Sequence, residues 1–434
     1  MRILLATLSS VIGLSLTSYA QDNQSGMTLS QAINSVMERY PSLDAARAEI
    51  DAANGRTTQS ASERLLHVSV NAQYSYLSLR PNISFPSFPA IYETVSNSYS
   101  AGITAKQLLC DFGRTDAVVA LSRSGEISAR DALEQARFQL GYEVIQNFYN
   151  VILLRSSVAV ADEEIKALEE AQRVSEQKLG GGTATRFDVL STQVRLSNAK
   201  NQKTNILASL EKQESRFRQL LGIDPQVPIM LNGSFTDSLT IPSIAESIAQ
   251  GLANRPEMKL AKDYASSANL KIEVANKNDR PVLNATGAAV VQDNQMPNLY
   301  SSRTYFEGGI NLSVPILTGK KIEGEKIEAR AQLRAAEAKV AELNRIIATD
   351  VTDAISDLKA ALSRIESADM LVKEAEEALA LAKSRYENGV ITTFELLDAQ
   401  SNARAAELSR LQSRYDCTIA EKALNRAMGL APKA

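Results

Sequence analysis

Between Gly319 and Gly389 the chain runs without a proline and with one glycine, Gly324, near its start. Within that stretch Val351, Leu358, Ile365, Val372, Leu379 and Tyr386 recur at every seventh position. A sustained seven-residue apolar repeat belongs to a helix that packs along its length against other helices. At about 1.5 Å of rise per residue, roughly 68 residues reach on the order of 100 Å. No ordinary globular core is that long, so the helix has to be a strut in an extended object.

The same spacing occurs earlier, in Val144, Val151, Val158, Ile165, Gln172 and Leu179. The residues that follow each strut also correspond. Lys178-Leu179-Gly180-Gly181-Gly182 leads to Arg186-Phe187-Asp188-Val189-Leu190, and Arg385-Tyr386-Glu387-Asn388-Gly389 leads to Thr393-Phe394-Glu395-Leu396-Leu397. A shift of 207 residues superimposes Gly182 on Gly389, Phe187 on Phe394, Asp188 on Glu395, Gln193 on Gln400 and Gly222 on Gly429. The chain therefore contains one structural unit twice.

Each copy reads helix, two strands, long helix, tight turn, returning helix. In residues 28–66 the apolar positions Leu29, Ile33, Val36, Met37 and Leu43 keep helical spacing, with Pro41 as punctuation inside the segment and Pro256 at the matching place later. From Val68 the period falls to two: Val68, Val70, Ala72, Tyr74 and Tyr76 alternate with Ser69, Asn71, Gln73 and Ser75. This is the pattern of a strand with one apolar and one polar face. Phe306, Gly308, Ile310, Leu312, Val314 and Ile316 alternate likewise in the second copy.

The predicted layout is a signal peptide at 1–20, a first repeat at 21–232, a linker at 233–242, a second repeat at 243–430 and a tail at 431–434. Strands fall near 68–79 and 98–109, the long helix at 114–179, the tip at 180–184 and the return helix at 185–221. A loop with Pro81, Pro86 and Pro89 separates the first two strands. The second copy places strands near 282–291 and 304–316, the long helix at 320–387, the tip at 388–391 and the return helix at 392–428.

Met1-Arg2, the apolar run from Ile3 to Leu16 and the small residues Ser18-Tyr19-Ala20 read as a secretory signal. No later window approaches about 18 uninterrupted apolar residues, so a helical membrane anchor is not expected. A formal net charge of -3 gives no electrostatic footprint for nucleic acid. His67 is the only histidine, and no metal-ligand, nucleophile-elbow or nucleotide-loop pattern is present. Catalysis, a metal and a cofactor are therefore not expected. The two cysteines, Cys110 and Cys417, fall at distant levels of this layout and are expected to be free thiols.

The duplicated unit, the tip Tyr386-x-x-Gly389 followed by Phe394-Glu395-Leu396-Leu397-Asp398-Ala399, and its copy Leu179-x-x-Gly182 with Phe187-Asp188-Val189-Leu190 resemble the TolC family of outer-membrane factors. The resemblance covers the chain from about Met27 to Leu430. It implies a mainly α homotrimer with four strands per chain in a shared 12-stranded β-barrel, continued by a helical coiled-coil barrel in the periplasm. It also implies a location in the outer-membrane lipid, and partnership with a periplasmic adaptor and an inner-membrane transporter. On this reading the chain is the exit duct of a tripartite efflux pump or type I secretion system. A soluble periplasmic coiled-coil adaptor or scaffold is the alternative.

By position, Glu395 and Asp398 match the family's acidic aperture residues, and Asp188 is the first-repeat equivalent of Glu395. Two readings stand for Asp188 and Glu395, because Thr185-x-x-Asp188 and Thr392-x-x-Glu395 also fit capping boxes. Arg186 is either a closing partner for an acid on a neighbouring hairpin or a solvated surface residue. Gly182 and Gly389 supply the positive φ of a tight turn. Together with Leu179 and Tyr386 they are the expected docking tips for the adaptor. Tyr74, Tyr76, Tyr99 and Tyr305 are candidates for an aromatic girdle at the lipid interface, with packing inside the strands as the other reading.

Overall fold

The computed structural model describes residues 26–76, 97–236, 239–293 and 302–432. The signal-peptide reading at 1–20, the Pro81, Pro86 and Pro89 loop and the end of the tail lie outside the described residues. The first helical segment is cut in two at Tyr40-Pro41, giving α1 (Leu29–Arg39) and α2 (Pro41–Ser62). The second copy repeats the cut at Arg255-Pro256, between α5 (Ile244–Asn254) and α6 (Pro256–Lys277). The prolines therefore do not lie inside helices, as the sequence reading has them. Each takes the first helical position, where its missing N–H is not needed. The residue before it turns extended, with ψ 123 at Tyr40 and ψ 125 at Arg255.

Between these segments lie β1 (His67–Tyr76), β2 (Asn97–Cys110), α3 (Arg114–Gly180) and α4 (Arg186–Leu221). The second copy continues with β3 (Val282–Gln292), β4 (Arg303–Ser313), α7 (Lys321–Glu387) and α8 (Thr393–Ala427). The alternation of apolar residues predicts β4 as far as 316, but the strand stops at Ser313. Pro315 has no N–H for the ladder, so Val314 and Ile316 keep the period without the pairing. The return helices begin one residue later than predicted, because Thr185 and Thr392 are extended N-caps.

The chain folds into two compact units. A helical unit comprises the described residues up to Asp44, Glu134–Pro256 and those from Asn344 onward. A sheet unit comprises Ala45–Leu133 and Glu257–Leu343.

In the helical unit the largest sealed side chains include Phe148, Phe217, Ile145, Leu221, Ile347 and Leu358. Phe148 meets Phe217 edge to face, with ring centroids 6.2 Å apart. The seven-residue series of α7 is buried from Val351 to Val372. In α3, Val144 and Val151 are fully buried, and farther along the sealed positions are Ala161, Leu168 and Ser175. One helix, α3, is long and apolar enough by composition to cross a membrane, but its most apolar stretch is no uninterrupted apolar run, and 44% of it is buried in this fold. Tyr142, Ile145, Phe148 and Tyr149 of this helix are buried in the helical core.

A half-buried ion network holds the connection after α4. Arg155 donates to Glu214 Oε1 at 2.6 Å and to the Ile229 carbonyl. Arg218 donates to Glu214 Oε2 at 2.9 Å and to the Val227 carbonyl at 2.8 Å. Gly251 of α5 lies so close to α8 that a Cβ there would meet the Ala427 carbonyl oxygen at 2.8 Å.

The sheet unit carries a four-stranded antiparallel sheet in the order β1-β2-β3-β4. Tyr74 pairs with Tyr99, Val70 with Ile103, Ala289 with Phe306 and Leu283 with Leu312. The two strand-to-helix corners match. Phe112 and Gly113 have φ 53 and 84, and Gly319 and Lys320 have φ 57 and 67. Two successive left-handed residues turn the chain sharply from sheet into strut. Cys110 is exposed at the end of β2, Cys417 is sealed within α8, and neither is in a disulfide.

Candidate functional site: the hairpin turns and the two-faced sheet

The first hairpin turn is built from backbone bonds that only a left-handed glycine allows. Gly182, at φ 76, lets Thr183 N–H reach back to the Lys178 carbonyl at 2.9 Å. In the second turn Gly389, at φ 71, lets Val390 N–H reach the Arg385 carbonyl, also at 2.9 Å.

Beyond each glycine comes a capping box. Asp188 N–H donates to Thr185 Oγ1 at 3.3 Å, and Thr185 N–H donates to Asp188 Oδ2 at 2.9 Å. In the second hairpin Glu395 N–H donates to Thr392 Oγ1 at 3.3 Å, and Thr392 N–H donates to Glu395 Oε2 at 2.8 Å. The backbone bond from Thr392, then its hydroxyl, holds the Glu395 carboxyl below the usual carboxylate range. Asp188 and Glu395 thus serve as helix caps in the folded chain. Asp398 lies one turn further along α8, exposed, and accepts a bond from Asn402 at 3.2 Å. No ion pair joins Arg186 to another described residue, and it is exposed.

Side chains from the two copies meet just inside these turns. Lys178 Nζ stands 3.7 Å from the centroid of the Tyr386 ring. The Arg195 guanidinium lies 5.2 Å from the Phe394 ring and donates to the Leu397 carbonyl at 3.3 Å. Leu168, Leu196, Ala199 and Leu397 form a shared apolar cluster beneath them. Arg404 of α8 pairs with Glu163 of α3 at 3.0 Å. Sequence reasoning picked out Tyr386 but missed Lys178, Arg195 and Arg404. A basic residue on a helix surface carries no local sign of an aromatic or acidic partner some two hundred positions away.

Pairing in the sheet sorts its residues by face. Val68, Val70, Tyr74, Tyr76, Tyr99, Ile103, Val291, Phe306, Ile310 and Leu312 share one face. Ser69, Asn71, Gln73, Ser100, Thr104, Lys106, Asn284, Glu307 and Asn311 share the other. Tyr305 pairs with Val290 on this second face, so it does not join Tyr74, Tyr76 and Tyr99. The apolar face is bare: Phe306 is 82% exposed, Val70 72% and Ile310 71%. His67 begins β1 on the polar-to-helix corner, opposite Ala105's neighbour Lys106.

An uncovered apolar face of this size marks a surface that meets lipid or another protein. With a polar face behind it, and with paired helical hairpins carrying the same chain onward, it defines an outer-membrane channel protein. The family model described as outer membrane efflux protein matches residues 32–223 and 248–430. The outer membrane efflux protein BepC of Brucella suis is 23% identical over 80% of this chain and 75% of its own length. The cation efflux system protein CusC of Escherichia coli is 19% identical over 77% of this chain and 73% of its own. Among solved structures, the outer membrane protein VceC of Vibrio cholerae superimposes with a TM-score of 0.76 at 18% identity, covering 93% of this chain and 97% of that one. The chain belongs to the outer membrane efflux protein family. It is an efflux channel of the outer membrane that extends into the periplasm.

Proposed function

We propose that three copies of the chain close into one barrel and form the passive exit duct of a tripartite assembly. The carrying observation is the sheet itself. It has an exposed apolar face, and its order leaves β1 and β4 each with one edge unpaired within the described chain. Open strand edges are not tolerated in lipid, and four strands cannot close on themselves, so copies must supply one another's edges. A soluble periplasmic scaffold would instead leave Phe306, Val70 and Ile310 in water.

The helical hairpins then line the periplasmic passage. An inner-membrane transporter supplies the driving force, and an adaptor engages the turns around Leu179, Gly182, Tyr386 and Gly389. Asp398 contributes a ring of three carboxylates that favours cations at the aperture. Glu395 and Asp188 hold the helix starts beside that ring and add their charge to it, and Arg186 pairs with an acid of a neighbouring hairpin. Electron microscopy of the detergent-extracted protein tests the assembly. Threefold hollow particles are expected; a monomer or a compact particle would sink the duct.

A further inference from the structure

In the sheet unit, α3 and α6 pack through a seam of small and polar side chains. Ser124 and Ser267 hydroxyls bond across it at 2.6 Å, and the buried Ser128 hydroxyl donates to the Ser124 carbonyl at 3.1 Å. Deeper along α3 comes Asp131, a carboxylate only 5% exposed. Its Oδ1 accepts from Lys259 Nζ of α6 at 2.6 Å. Asp263 follows Lys259 by one helical turn, on the same side of α6, and its carboxyl lies within hydrogen-bonding reach of Asp131.

Asp131 Oδ2 and Asp263 Oδ2 are both sealed from solvent, and neither receives a donor. Two ionised carboxylates are acceptors only, so a buried pair of them in contact is repulsive and unsatisfied. One proton between them removes the like charge and supplies the missing donor. A divalent cation is the other candidate for such a gap, but the Lys259 ammonium already neutralises Asp131 from the Oδ1 side.

We infer that Asp131 and Asp263 hold a single shared proton, taken from solvent, and that the α3–α6 seam tightens when it is bound.

The surrounding charges leave this pair to itself. Contacts between Arg64 and Asp116 and between Ser60 and Ser122 put Arg47 and Asp51 of α2 at about the level of Asp131. On α7, bonds from Lys271 to Gln332 and from Asn278 to Glu325 put Lys339, Glu337 and Glu342 near the level of Asp263, and Lys339 is bound to Glu342 at 2.7 Å. On α3, Arg130 pairs with Glu126 and Glu134 with Arg137. On α6, Glu257 and Lys262 flank Lys259. Of all these, the charges that act on Asp263 are Asp131 and Lys259.

Burial first, then the hydrogen bond and negative charge of Asp131, push the Asp263 carboxyl from 3.8 up to about 6. Because that value is raised on folding, the native seam takes up the proton more readily than the unfolded chain. Its contribution is complete below about pH 4, is lost as pH rises through about 6, and is flat above. Asp131, held low by its bonds to Asp263 and Lys259 against the opposing effect of burial, loses its own contribution only below its ordinary value of 3.8.

The test is hydrogen exchange of the segment 256–268 in the detergent-extracted full chain, corrected for the intrinsic pH dependence of exchange. In the wild type, protection should fall several-fold between about pH 5 and about pH 7.5. Asp263→Asn carries an amide donor where the proton sits, so protection should stay high across that range. Lys259→Met removes the competing cation and should move the midpoint to higher pH. Should Asp263→Asn fail to assemble, the Lys259→Met midpoint and a wild-type protonated-carboxyl infrared band that appears near pH 6 still decide the matter. A wild-type slope preserved in Asp263→Asn, or an unmoved midpoint in Lys259→Met, overturns the shared proton. So does protection at pH 7.5 that follows added magnesium or chelator instead of protons.

Discussion

The ammonium of Lys178, in the last turn of α3, stands 3.7 Å from the centroid of the Tyr386 ring, in the last turn of α7. The ends of two struts that are repeats of each other are thereby tied together just before both hairpins turn. Arg195 repeats the arrangement from the return side by reaching Phe394 and the Leu397 carbonyl.

These two cation–ring contacts should resist separation of the hairpins. Each is worth about 0.5–1 kcal/mol at a part-exposed site. The double variant Lys178→Ala, Arg195→Ala is expected to form channels of higher conductance in planar bilayers, with the sheet unit intact by circular dichroism. Conductance equal to the wild type would mean that the apolar cluster around Leu397 alone holds the hairpins.

Charge and capping can be separated at the turns. Glu395→Gln keeps an oxygen for the Thr392 N–H and removes the charge, whereas Glu395→Ala removes both. Asp398→Asn, which has no cap to lose, should reduce cation preference in reversal-potential measurements. Glu395→Gln should reduce it further with little loss of helix. If Asp398→Asn and Glu395→Gln both keep the wild-type reversal potential, Asp398 and Glu395 are structural only.

Glu214 lies between Arg155 and Arg218 with a side chain 17% exposed. Glu214→Ala leaves both guanidinium groups half-buried without their carboxylate and releases the irregular connecting stretch they hold through Val227 and Ile229. A loss of about 2–3 kcal/mol is expected, read as a lower midpoint in denaturant. A midpoint unchanged from the wild type would show that solvent replaces the network.

Gly251 tests the packing of α5 on the return helix. Any Cβ there approaches the Ala427 backbone oxygen at 2.8 Å and Ile347 Cγ2 at 3.0 Å. Backbone cannot yield as a flexible side chain can, so Gly251→Val should cost roughly 2 kcal/mol or more. Thermal unfolding of the purified variant measures it, and an unshifted transition would place α5 farther from α8.

The cysteines give a chemical check on burial. A maleimide should label Cys110 alone in the native protein, and both Cys110 and Cys417 after unfolding without reductant. Native labelling of Cys417 would contradict its sealed position in α8.

Much of the architecture is legible in the amino-acid sequence. The seven-residue series, the doubled turn sequence and the two capping boxes are local patterns, and α3, α7, Gly182, Gly389, Thr185 and Thr392 stand where such patterns put them. Even the face of Tyr305 was readable from parity, since it is two positions from Glu307 and one from Phe306, although its aromatic ring suggested the girdle. The end of β4 was missed for a different reason: alternation continues past Ser313, and only the missing N–H of Pro315 stops the pairing.

The sequence by itself determined the repeat, the long helices, the turn chemistry and a sheet with one apolar face. Each follows from interactions within a few residues or from a fixed helical or strand period. Only tertiary structure decided that Lys178 meets Tyr386, that Arg195 meets Phe394 and that Asp131 faces Asp263. Those pairs join helices far apart in the chain, and their side chains acquire these partners only when packing brings the helices together; for Asp131 and Asp263 the same packing also shifts their ionisation.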